Sequence, residues 1–173
     1  MLSLLGLGCL VALGVAYNKH KTIQGLLIDV IQEDTWFVNR DDNKKIAIVV
    51  SLSLTNKTTR QIKILNCKLS GYFPKDNPSK IYLQTEEDNT NNKIWVDFPK
   101  YEQFIYGKPY VINPFSNQKI WVYYESRAIT MSNLFEVPIF LKSFDKKRKS
   151  AQVRIPRHPQ QLMIYAKSAS LWS

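Results

Sequence analysis

Along most of the chain, apolar residues recur at every second position. Ile46, Ile48, Val50, Leu52 and Leu54 alternate with Ala47, Val49, Ser51 and Ser53, which places one apolar set on a single face of a strand turned toward a core. Gly25–Ile31 and Thr35–Val38 read as earlier strands, and Arg60–Asn66 alternates again through Ile62 and Ile64. There the phase slips, because Leu65, Cys67 and Leu69 take over the apolar positions; one extra residue near Leu65, a β-bulge, accounts for it. Further strands are expected at Lys80–Leu83, Lys93–Phe98, Phe104–Tyr106, Gln118–Glu125, Leu134–Ser143 and Ser150–Pro156. Prolines punctuate these runs, and Pro138 within one of them predicts an edge strand, since proline donates no ladder hydrogen bond. Many short strands separated by turn residues, with no long amphipathic helix, predict an all-β sandwich or barrel.

The first residues follow another pattern. Leu2–Tyr17 is sixteen residues without a charge; as a helix it would be about 24 Å long, against a bilayer core of about 30 Å. Gly8, Ala12 and Ala16 fall at i, i+4 and i+8, a stripe of small residues that lets helix backbones approach closely. Tyr17, Lys19 and Lys21 form an interfacial end, aromatic ring first and cations after. No Lys or Arg precedes the run, so a cleaved secretory signal is not expected. The organisation read from the chain is therefore a hydrophobic anchor or docking helix with a basic flank (1–24), a β-sandwich domain (25–156) and a tail (157–173).

Charge is unevenly spread. The net +10 is concentrated after Asp145, where the last 29 residues carry seven basic side chains against one acidic. Lys146, Lys147, Arg148 and Lys149 sit between two expected strands and read as a basic hairpin tip. It could meet anionic lipid, nucleic acid or an acidic protein face, or be a solvated tip. Lys, Asn and Ile make up over a quarter of the chain, which points to an AT-rich coding genome.

Three stretches together resemble the late-embryogenesis-abundant type-2 (water-stress) domain. They are Ile46–Leu54 with the turn Thr55-Asn56-Lys57-Thr58 and the strand ending in Leu69-Ser70-Gly71-Tyr72; Val111-Ile112-Asn113-Pro114-Phe115-Ser116 before Lys119–Tyr124; and Phe135–Leu141 with Ala151–Ile155. Lys57 stands where that family has a proline. The resemblance implies an immunoglobulin-like antiparallel β-sandwich and implies no catalytic residues.

Chemistry is sparse. His20 and His158 lie far apart, and neither Cys9 nor Cys67 has a partner at metal-ligand spacing. Both cysteines read as small apolar residues. The loop Glu86–Asn92 lacks the glycine turn and spacing of a calcium site. No nucleophile, phosphate-loop or zinc motif occurs. No enzyme activity, metal or cofactor is expected. The aromatics invite a binding role: Trp121 and Tyr123 share one strand face while Tyr124 shares the other with Val122. One pair belongs in a core, and the surplus, with Trp172 in the tail, predicts a contact face for a partner. The function expected is a non-enzymatic structural subunit of a larger assembly, attached through its N-terminal segment and tail. It would be membrane-associated or part of a virion, such as a phage particle. A membrane-anchored cellular binding module, with lipid met through residues 2–17, is the alternative; nucleic-acid binding through the basic C-terminal part ranks last.

Overall fold

The computed structural model describes residues 22–40, 45–76, 81–84, 93–127 and 133–163. Among these residues eleven strands run in chain order: β1 (Leu26–Val30), β2 (Trp36–Asn39), β3 (Ile46–Asn56), β4 (Ile62–Leu69), β5 (Ile81–Gln84), β6 (Lys93–Val96), β7 (Glu102–Gln103), β8 (Tyr110–Ile112), β9 (Asn117–Ser126), β10 (Leu134–Ser143) and β11 (Arg148–Pro156). The fold is all-β and β-sandwich-like. One sheet has the order β1-β3-β9-β7, with β2 also paired to β3; the other has the order β11-β10-β4-β8; β5 and β6 form a separate hairpin. Every pair is antiparallel except β7 with β9, which run parallel.

The main core lies between the two large sheets. It takes Ile46, Ile48, Val50, Leu52 and Leu54 from β3, Ile120, Val122 and Tyr124 from β9, and Ile64, Cys67, Ile139, Leu141, Val153 and Ile155 from the facing sheet. Outside β4 the period of two holds in these strands, so each turns one alternate set of residues to this core. In β4 it slips as expected: Lys142 pairs with Asn66 but Ser143 with Ile64, leaving Leu65 as the extra residue. The bulge turns Cys67 and Leu69 inward after Ile62 and Ile64.

β1 and β2 are one edge interrupted. Val30 pairs with Leu52 and Trp36 with Val49, so five residues face two, and Gln32–Asp34 form a 3₁₀ turn that absorbs the excess. The backbone groups freed by the turn are caught locally. Ser51 N–H donates to Thr35 Oγ1 (3.0 Å), Thr35 Oγ1 to the Ile31 carbonyl (2.8 Å), and Ser51 Oγ to the Asp34 carbonyl (2.7 Å).

Three expectations are corrected. Pro138 does not mark an edge: β10 lies between β11 and β4. The ladder with β4 starts only at Ile139, and the Pro138 carbonyl accepts from Ser70 N–H just past the end of β4, so no ladder donor is missed there. Phe104–Tyr106 is not a strand: the pairing stops at Gln103, Phe104 is fully buried, and the chain turns at Gly107 (φ +83°). The second face of β3 is not solvated either, because Ala47 and Val49 are buried beneath the β5–β6 hairpin and the segment after it. The described unit also reaches past residues 25 and 156, since Ile23 joins the core and Arg157 and Gln161 are buried.

Candidate functional site

The aromatic residues expected at a contact face lie inside. Tyr124 is in the main core, its hydroxyl donating to the Cys67 carbonyl (3.0 Å). Trp121 and Tyr123 point the other way into a second cluster with Trp36, Val38, Val49, Ile81 and Val96, packed against Phe98 and Tyr101. Phe98 stacks on Trp121 (5.1 Å, 21°) and meets Tyr123 edge-on (6.2 Å, 85°). Trp121 Nε1 donates to the Tyr101 carbonyl (2.8 Å), and Tyr101 in turn donates to Asp34 (2.8 Å). The face read as surplus is thus occupied by the chain's own hairpin and the segment leading to Tyr101. Gly8, Ala12, Ala16, Tyr17, Lys19, Lys21, Trp172 and the loop 86–92 lie outside the described residues.

Titratable groups follow burial. Desolvation pushes the Cys67 thiol up to about 12, and the Tyr101 hydroxyl, flanked also by Asp34, to about 12. Tyr123 and Tyr124 are raised by the same cause. These shifts hold groups protonated and unreactive. Among the described residues no three His, Cys, Asp or Glu side chains gather as a metal site. No described helix is long and apolar enough to cross a membrane.

What the fold assembles are two poles. At the first, four segments meet: 22–25, 57–63, 113–116 and 143–148. Ile23 N–H donates to the Arg148 carbonyl (3.2 Å), Lys57 N–H to Gly25, Phe115 N–H to Thr58 and Phe144 N–H to Lys63. Asn56 is the hub. Its Nδ2 donates to the carbonyls of Arg60 (2.7 Å), Ile112 (3.2 Å) and Asn113 (3.0 Å), while its Oδ1 accepts from Thr58 N–H (2.9 Å) and Thr58 Oγ1 (2.8 Å). Gly25 (φ +68°) lies directly over the Thr58 methyl, where a Cβ would collide, so a glycine carries the chain into this pole.

The basic tip belongs to the same pole. Ser143 N–H donates to Lys147 O (2.9 Å) and Lys146 N–H to Ser143 O (3.1 Å), closing the turn with Lys146 at φ +61°. Of the four predicted tip residues, Lys146 and Arg148 are exposed and Lys147 and Lys149 half-buried. The structure adds Lys57, Arg60 and Lys63, which had been assigned only to a turn and a strand. Together Lys57, Arg60, Lys63, Lys146, Lys147 and Arg148 stand against one carboxylate, Asp145, and none of the six forms an ion pair among the described residues. A groove of about 440 Å³ runs between Thr58–Lys63 and the hairpin tip. Phe115 (73% exposed) and Phe144 (65%) stand on neighbouring loops of the same pole.

No family model matches the sequence, and no curated relative does. Several solved structures overlap loosely. A FixG-related protein from Vibrio parahaemolyticus shares 10% identity at a TM-score of 0.43, covering 78% of this chain and 98% of its own. An ApaA-like protein from Bordetella pertussis shares 8% at 0.38, covering 78% and 94%. Neither overlap is close enough to carry an activity or a partner over.

The second pole holds the start of the tail. Arg157 pairs with Phe37 in a parallel bridge, and His158 N–H donates to the Phe37 carbonyl (2.9 Å). A single helical turn at 159–163 brings Gln161 against β2: its Oε1 accepts from Asn39 N–H (3.0 Å) and Arg157 Nη1 (2.9 Å), and its Nε2 donates to the Asn39 carbonyl (2.9 Å). Arg157 lies over the Phe37 ring (4.8 Å), and His158 sits edge-on to Trp36 (5.0 Å). Sequence missed this clamp because its donors and acceptors are 122 residues apart.

Proposed function

We propose that this chain is a non-enzymatic attachment subunit, an immunoglobulin-like sandwich held to its support at one pole and offering its tail to a protein partner at the other. The support is a virion or a cell membrane. One observation carries the reading: residues 22–23 and residues 157–161 are held at opposite poles. The N-terminal chain is bonded at Thr22 and Ile23 beside Arg148, at the end of β3 marked by Asn56. The tail is clamped at Phe37 and Asn39, at the end marked by Ile46. The eleven residues of β3 separate them, about 35 Å at ~3.3 Å per residue. A rigid unit with both faces of its central strands buried suits a spacer. The perturbed titratable groups are tyrosines and a cysteine held protonated, with His158 held neutral. The resemblance of Ile46–Tyr72, Val111–Tyr124 and Phe135–Ile155 to the late-embryogenesis-abundant type-2 domain supports a sandwich without catalytic residues.

The test is fractionation of the source with full-length chain carrying Leu10→Arg within the apolar run. The variant should move from the membrane or particle fraction to the soluble one with its fold intact. A variant that stays particulate would show that residues 2–17 are not the attachment.

A further inference from the structure

We infer that the N-terminal pole is a docking face for an anionic lipid bilayer, with Phe115 and Phe144 entering the interface and the surrounding cations meeting headgroups. The inference deepens the attachment reading and rests on it, naming the support and the surface that meets it.

Four observations converge. Phe115 and Phe144 are the two most exposed large apolar side chains among the described residues, and both crown loops of the one pole that receives the N-terminal chain. Phe115 is held there at φ +48°, a conformation that a bulky residue rarely adopts and glycine would adopt freely. An aromatic ring at such a site is not explained by packing. Around the two rings stand the six cations described above, and on the adjoining sheet face Lys142 sits directly opposite Arg148, a like-charge pair that an isolated sheet disfavours and an anionic surface relieves.

The fourth observation is reach. Only four residues separate Tyr17 from Thr22, five steps that span at most about 18 Å even when fully extended. If the apolar run enters a bilayer, this pole is held at its surface. Aromatic rings flanked by cations are the composition that favours the headgroup boundary. A nucleic acid would be met by the cations but gives no use to an apolar 16-residue run beside them.

The experiment uses the full chain with vesicles of phosphatidylcholine, with and without phosphatidylserine, acyl-brominated in each case. A Phe144→Trp variant reports depth by bromine quenching, with Gln152→Trp on the outer face of β11 as the reference. Quenching at position 144 should appear with phosphatidylserine, stay low without it, be removed by high salt, and be absent at position 152. Neutralising Arg60, Lys147 and Arg148 to Gln should shift the docked equilibrium by roughly 100-fold, about five-fold per cation, while flotation with the vesicles is unchanged. A chain that floats but shows no phosphatidylserine-dependent quenching overturns the docking face and leaves the attachment reading standing. A chain that does not float overturns both. Salt-sensitive binding of a single-stranded oligonucleotide without such quenching assigns the cations to nucleic acid and overturns the proposal.

Discussion

Replacing Asn56 by alanine should destabilise the protein out of proportion to the atoms removed. The side chain is fully buried and has five hydrogen-bond partners: its two amide hydrogens are shared among three carbonyls, and its oxygen accepts two bonds. At a net value of about 1 kcal/mol each, the ceiling is ~5 kcal/mol. Four of the five lie where water can reach the freed partner, and only the bond to the Ile112 carbonyl is buried. The expected loss is therefore about 2–3 kcal/mol, or roughly 4–12 °C in Tm for a domain of this size. Urea unfolding followed by tryptophan fluorescence measures it. Asn56→Asp supplies the stringent comparison: it keeps the acceptor toward Thr58 but aims a second oxygen at three carbonyls, so it should cost more than alanine. A loss below about 0.5 kcal/mol for alanine, or an aspartate variant milder than alanine, would refute the role of Asn56 as hub of this pole.

Three further outcomes are expected. Burial lowers the His158 pKa from 6.5, partly opposed by Asp97; the unfolded chain therefore binds the proton first. The stability it supports is complete above pH 6.5 and falls as the pH drops from there toward the folded-state value. Urea midpoints taken from about pH 7.5 to about pH 5 should decline, and His158→Phe should flatten that decline. Phe115→Gly should leave stability unchanged or raise it by up to ~1 kcal/mol, since it relieves a left-handed aromatic residue, yet weaken docking to phosphatidylserine vesicles; a clear loss of stability would show that the ring packs. Cys67, pushed up to about 12, should resist thiol reagents in the native fold and react only in denaturant; rapid native modification would contradict its burial.

Much of the fold was legible because single-strand periodicity is local. Strand β10 was read with its observed limits, and the bulge at Leu65 followed from a slip of apolar phase that any packed face must accommodate. What periodicity does not encode is which element covers which face. One face of β9, that of Trp121 and Tyr123 or that of Val122 and Tyr124, read as a surplus awaiting a partner because nothing in β9 says that Phe98 and Tyr101 fold back over Trp121 and Tyr123. Pro138 misled for a related reason: missing one donor matters only where a neighbour offers an acceptor, and β4 has ended there. The basic tip was visible as a run, but its pole was not, since Lys57, Arg60 and Lys63 join it only through the pairing of β4 with β8 and β10. Phe115 and Phe144 come together only through the meeting of loops that are distant in sequence. An Asn-Pro-Phe-Ser turn, with an aromatic where small residues usually sit, was the one local sign available.

Two-pole attachment can be read directly from thiol labelling of the native assembly. In a Cys9→Ser background, single cysteines at the exposed positions Thr59, Gln160 and Gln152 report the N-terminal pole, the tail pole and the outer face of β11 in turn. All three should label in the purified, detergent-held chain. In the intact membrane or particle, positions 59 and 160 should be protected while 152 stays open. Protection of position 152 with both poles open would contradict the assignment of attachment to the poles.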